Sequence, residues 1–151
     1  MSARRVVVAL LLVLEVARTS RAHEIRPAYL EIQETEPARF HVLWRTPVLA
    51  GMRLPVVLKL PDDVRDLDVP SVQELADSLV ERRVIDAGPN GLHGKRIEFV
   101  GLPLTITDVL VRVELRDGTT WTTIARPSQP FVEIAASGGP LVVLRTYWEH
   151  G

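Results

Sequence analysis

Period-two alternation of apolar and polar residues recurs along most of this chain, and it constrains the fold more than any other feature of the sequence. In residues 108–116 every second residue is Val or Leu, and in residues 39–45 Phe40, Val42 and Trp44 share one face. Side chains alternate between the two faces of a β-strand, so this pattern is typical of strands with one buried face. The sequence therefore predicts a protein built mainly from β-strands.

Turn residues separate the alternating segments at short intervals. The strongest turn signals are Glu36-Pro37-Ala38, Gly88-Pro89-Asn90-Gly91 and Asp117-Gly118. The predicted strands are 25–33, 39–45, 56–60, 80–86, 95–100, 108–116, 119–125, 131–134 and 141–147. Short strands at this spacing, without βαβ alternation, predict an all-β fold: an antiparallel β-sandwich, with an immunoglobulin-like arrangement as one candidate topology.

One segment, residues 71–79, has the spacing of a short helix. Ser71 and Glu74 fit a capping box. Apolar residues recur around them at helical intervals, at Val72, Leu75, Ala76 and Leu79. The acidic segment 61–70 before it lacks the glycine and distal glutamate of an EF-hand loop, so we expect a solvated loop there rather than a calcium site.

Residues 1–22 have the layout of a secretory signal peptide. Two arginines precede an apolar run from Val6 to Leu14, and Ser20-Arg21-Ala22 ends in a small-x-small pattern. The run is shorter than the about 20 residues that a membrane anchor needs. We expect cleavage after Ala22 and export to the periplasm or the extracytoplasmic face of the membrane. The removed segment carries four arginines and one glutamate, so the net charge changes from −1 to −4.

Composition and motifs exclude several classes of function. A near-neutral chain lacks the basic excess that nucleic-acid binding needs. The absence of Cys excludes disulfides and thiolate sites, and neither a Gly-x-Ser-x-Gly motif nor a Gly-rich phosphate loop is present. Thr105, Thr107 and Asp108 form a polar cluster, which we interpret as side chains that hydrogen-bond the turn backbone. We predict a protein that is not an enzyme.

The histidines are the candidate metal ligands. Cleavage after Ala22 would leave His23 as the first residue, and a terminal amine beside an imidazole offers Cu(II) two nitrogen donors. His41 or His93 would supply a third ligand. His41 lies on the polar face of a predicted strand and His93 in a Gly-rich turn, where solvated imidazoles are the alternative interpretation for both.

Three stretches together resemble the N-terminal, extracytoplasmic region of bacterial HupE/UreJ-like membrane proteins. They are 22–31 (AHEIRPAYLE), 91–97 (GLHGKRI) with Gly101-Leu102, and 105–112 (TITDVLVR). The resemblance implies an exported β-rich region that precedes a bundle of transmembrane helices, which carries a suspected transport of nickel or a related metal. Tyr147-Trp148-Glu149-His150-Gly151 resembles the junction to that bundle, so transport itself does not carry over to this chain.

These observations divide the chain into a signal peptide (1–22), an extracytoplasmic β-sandwich (23–140) and a C-terminal segment (141–151) that is a candidate junction to a membrane region. Two functional hypotheses follow. The first is an accessory or docking domain of a HupE/UreJ-like membrane protein, linked to metal transport. The second is an independent periplasmic sandwich that binds copper through His23.

Overall fold

The computed structural model describes residues 26–135. Within its longer strands, the apolar and polar residues that alternate in the sequence become alternately buried and more exposed. The predictions for 1–22, His23 and 141–151 lie outside the described residues. The strands are β1 (Ala28–Glu36), β2 (Arg39–Leu49), β3 (Met52–Arg53), β4 (Val57–Lys59), β5 (Arg65–Asp66), β6 (Ser71–Glu74), β7 (Ser78–Asp86), β8 (Arg96–Val100), β9 (Val109–Glu114), β10 (Thr120–Ala125) and β11 (Phe131–Glu133). A single 3₁₀ turn, Leu102–Leu104, is the only helical element among the described residues.

The strands form two sheets, which confirms the predicted all-β sandwich. The large sheet has the order β10-β9-β1-β2-β7-β5, with β3 added to β2 and β6 added to β7. The small sheet has the order β11-β8-β4. All eight strands predicted between residues 25 and 134 are present, and their neighbours are antiparallel except in the pair β1 and β9.

The core lies between the two sheets. Leu30 and Ile32 of β1 are fully buried, whereas Glu31 between them points to the opposite face of the sheet. Trp44 of the large sheet meets Phe99 of the small sheet with ring centroids 5.5 Å apart. Other buried side chains complete this core: Phe40, Val42, Leu58, Ile85, Leu92, Ile97, Leu102, Val109, Val111, Val113 and Val132.

The parallel pair β1 and β9 sets the ends of the sandwich. The N–H of Ala28 donates to the carbonyl of Asp108 (3.0 Å), and Tyr29 and Leu30 lie opposite Leu110 and Val111. Neighbouring parallel strands begin at the same end of a sheet. The start of the described chain and the loop that precedes β9 therefore share one end of the sandwich.

The helix predicted for residues 71–79 is wrong. Residues 71–74 form β6, which pairs with β7 from Ser71 opposite Arg82 to Glu74 opposite Leu79. The apolar residues of the supposed helical face find no core: Val72 and Leu75 are exposed. The free edge of the nine-residue strand β7 offers a ladder of backbone hydrogen bonds, and this outweighs the weak local preference for a single helical turn.

The acidic segment 61–70 is exposed for most of its length, as expected, but it is not structureless. It contains the short strand β5, and two of its aspartates form ion pairs with residues of other elements. Asp63 pairs with Lys95 (2.6 Å) and Asp66 with Arg83 (3.2 Å). The segment is thereby attached to the rest of the sandwich, at the edge of the large sheet.

The substitution Val111→Asp should abolish folding. Val111 is 0% exposed at the centre of β9, so the variant would bury a carboxylate without a partner. We expect a loss of at least about 4 kcal/mol in the free energy of unfolding, measured by urea denaturation. Thr122→Asp, on the exposed face of the neighbouring strand β10, is the matched control and should stay within about 1 kcal/mol of wild type. A Val111→Asp variant with wild-type stability would contradict the assigned face of β9.

Candidate docking surface

Most of the large apolar side chains that the described residues leave exposed gather at one end of the sandwich, which we call the apolar end. The set comprises seven of the eleven such side chains: Leu49, Met52, Val57, Leu75, Val100, Leu104 and Ile106. Scattered exposed apolar residues are normal, but a gathered patch marks an interaction surface. The apolar end is therefore the candidate functional site.

The connections between strands bring these residues together. β2 ends here and turns into β3, and Pro47 near its end lies opposite Ser78, where β7 begins. The β6–β7 turn closes beside it, with the N–H of Leu75 bonded to the carbonyl of Ser78 (2.8 Å). β8 ends at this level too, and the loop 101–108 then leads into β9.

The loop 101–108 carries the two most protruding members of the set. Leu104 is 89% exposed and Ile106 is 80% exposed. Leu102 before them and Thr107 after them are buried and attach the loop to the core. The loop thus presents two aliphatic side chains outward from a backbone that is fixed on both sides.

Local hydrogen bonds stiffen this loop. The hydroxyl of Thr105 donates to the carbonyl of Leu102 (2.9 Å) and accepts from the N–H of Thr107 (3.2 Å). This confirms the interpretation of Thr105 as a side chain that bonds the turn backbone. Gly101 has φ 91 and lies so close to Pro55 that a Cβ would overlap the carbonyl oxygen of Pro55. The loop is consequently locked to the segment that precedes β4.

Paired charges surround the apolar end. Asp77 binds Arg26 (2.7 Å) and Arg45 (3.3 Å), and Arg53 binds Glu74 (2.7 Å). A hydrogen bond from the Ser78 hydroxyl, together with the two arginines, lowers the pKa of Asp77 below its usual value, so the carboxylate is ionised at neutral pH. The margin therefore holds three arginines that share two carboxylates, with each arginine in an ion pair.

The candidate metal ligands lie away from the apolar end. His41 is on the outward face of the large sheet, opposite Gln33 and Val84. His93 is in the loop 87–95 at the other end, where Ala87 bonds to Ala38 of the β1–β2 turn, and its Nδ1 is 3.3 Å from the carbonyl oxygen of Ala135. Among residues 26–135, no group of three His, Cys, Asp or Glu side chains is placed to hold a metal ion.

Two shallow grooves lie on the flank and outer face of the sandwich. One, of ≈ 470 Å³, runs between β4 and Arg83. The other, of ≈ 450 Å³, lies on the large sheet and is lined by both His41 and Ser71. These two residues do not form a catalytic pair, because β7 lies between their strands and two strand spacings keep them roughly 10 Å apart.

Comparisons with known proteins identify no relative: no family model matches the chain, and neither the curated proteins nor the solved structures contain a match. Between residues 26 and 135, no helix is long and apolar enough to cross a membrane. The interpretation of the apolar end therefore depends on its own geometry and chemistry.

The sequence interpretation did not identify the apolar end. Its best signal was present in Leu104 and Ile106, two aliphatic residues in the gap between the predicted strands 95–100 and 108–116. Apolar residues in a turn that contains glycine and proline are buried only if their side chains point toward the core. Here Leu102 takes the inward position, and the next two aliphatic residues are left outside.

Substitution of Gly101 by alanine should loosen the loop and destabilise the protein by about 2–4 kcal/mol, because it adds a clash with Pro55 to the strain of a positive φ. Gly118→Ala is the matched control, with φ 84 and no atom within 4 Å of the added Cβ. It should cost only the backbone strain, about 1 kcal/mol. Urea denaturation measures both, and equal losses would contradict the close packing of the loop against Pro55.

Proposed function

We propose that this chain is a non-enzymatic, exported β-sandwich that docks at a membrane, as an accessory domain of a HupE/UreJ-like membrane system linked to metal transport. One observation carries the proposal. The apolar end, with its protruding loop 101–108, is also the end at which the described chain begins, at Arg26. The described chain therefore enters the fold at the end that carries its most apolar surface.

The placement of the resemblance supports this proposal. Its two most specific stretches, 22–31 and 105–112, are far apart in sequence, yet their described parts are neighbours. Residues 28–31 of β1 pair in parallel with residues 109–112 of β9, at the apolar end. The described residues that resemble the family thus form one pair of neighbouring strands that begins at this end, and metal translocation would belong to the membrane partner.

Fractionation of cells that produce the chain tests docking. We expect the exported chain to begin at His23 by mass spectrometry and to sediment with membranes. The double variant Leu104→Ser/Ile106→Ser should move into the soluble exported fraction, because it removes the two most exposed members of the apolar end.

The control for this experiment is Val69→Ser/Val72→Ser, which removes two exposed apolar side chains at the edge of the large sheet. This variant should sediment with membranes like wild type. Recovery of the wild-type chain in the cytosol, or in the soluble exported fraction, would contradict the proposal.

Copper binding at the amino terminus is the second candidate function. Cleavage after Ala22 would leave His23 three residues before Arg26, with a terminal amine and an imidazole as two nitrogen donors for Cu(II). His41 is opposite Gln33, five residues along β1 from Ala28, a distance of about 16 Å in a strand. We therefore expect any Cu(II) site to use the terminus without His41 or His93.

Calorimetry with Cu(II) on the processed chain tests this second candidate. Binding at one equivalent should be lost in His23→Ala and unchanged in His41→Ala and His93→Ala, because the proposed site uses only the terminal amine and the His23 imidazole. Equal binding by His23→Ala and wild type would eliminate the terminal site. Loss of binding in His41→Ala would contradict the proposed separation.

A further inference from the structure

We propose that the partner of the apolar end is the phospholipid bilayer itself, with Leu104 and Ile106 inserted among the acyl chains. This inference rests on the proposed docking function and names what the surface binds. It is carried by the shape, the chemistry, the charge and the chain path of the described residues at this end.

The shape of the surface fits a fluid partner. Leu104 and Ile106 protrude from the loop 101–108 and line neither groove, although Val57 and Val100 at the margin of the apolar end line the groove beside β4. A protein partner is recognised through packed pockets, and its dominant contacts are enriched in Trp, Tyr and Arg. The exposed apolar side chains here are aliphatic or methionine, which dissolve in hydrocarbon without a preformed complement.

The stiffness of the loop makes insertion efficient. The buried anchors Leu102 and Thr107 and the Thr105 hydrogen bonds hold the backbone before any partner arrives. A surface that is already ordered loses little conformational entropy on binding. The free energy gained from burial of two aliphatic side chains is therefore available for membrane attachment.

The charges of the apolar end favour an apolar rather than an electrostatic attachment, because the loop 101–108 itself carries one exposed carboxylate, Asp108, and no lysine or arginine. Arg26, Arg45 and Arg53 are all paired with Asp77 or Glu74. A polybasic surface binds anionic lipid through unpaired cations, and that binding weakens with salt. The paired margin of the apolar end predicts attachment that changes little with salt or with the fraction of anionic lipid.

The path of the chain places this end toward the membrane. The described fold begins at Arg26, and the preceding sequence contains the apolar run from Val6 to Leu14. During export that run occupies the membrane, and only 11 residues separate Leu14 from Arg26. Until cleavage after Ala22, the apolar end is therefore the end of the fold that the chain joins to this run.

Flotation with protein-free vesicles tests the inference. The exported chain is mixed with vesicles of phosphatidylethanolamine and phosphatidylglycerol, and with vesicles of phosphatidylcholine alone. We expect wild type to float with both, at low and at high salt. Leu104→Ser/Ile106→Ser should reduce partitioning by about 30-fold or more, the effect of withdrawing two aliphatic side chains from hydrocarbon. Val69→Ser/Val72→Ser should float like wild type.

Several outcomes overturn the inference. If the chain binds native membranes but not protein-free vesicles, the partner is a membrane protein, and the docking function stands without the lipid contact. If it instead forms dimers that Leu104→Ser/Ile106→Ser dissolves, the surface serves a second copy. Equal flotation of all variants would place the lipid contact elsewhere. Failure to bind either native membranes or vesicles removes the docking function as well. Thermal melts of both variants, expected to match wild type because the substituted side chains are exposed, exclude misfolding as the cause.

Discussion

The parallel pairing of β1 with β9 is the contact on which the rest of the architecture depends. It joins residues about 80 positions apart in sequence and fills the middle of the large sheet, between the hairpin partners β2 and β10. Parallel pairing of strands distant in sequence is slow to form because a long loop must close first. Once formed, it fixes which turns share an end of the sandwich, and so it assembles the apolar end from segments that are distant in sequence.

The strands were predictable because their burial is one-sided. In β9, and in β2 from Arg39 to Arg45, each buried residue is followed by a more exposed one, and that alternation can be recognised in the sequence. The segment 71–79 was not predictable in the same way. Its four-residue strand β6 has no buried residue, so it carries no period-two signal, and what selects it is the free edge of β7. Edge pairing is a tertiary effect that local sequence does not record.

The candidate site was likewise predictable only where a single residue carries the signal. The sequence predicts the histidines as candidate metal ligands, because a single imidazole is enough to suggest a ligand. The apolar end has no such signature: Leu49 and Met52 flank the β2–β3 turn, Leu75 lies in the β6–β7 turn and Leu104 in the loop 101–108. Each of them alone is an ordinary exposed residue, and only the β1–β9 pairing with its antiparallel neighbours makes them one surface.

The chain enters the described fold at the apolar end and reaches Ala135 at the opposite end, beside His93. The nine residues of β1 span about 30 Å, and this sets the length of the sandwich. A partner bound at the apolar end therefore lies about one strand length away from Ala135, the last described residue, and from the loop 87–95 beside it.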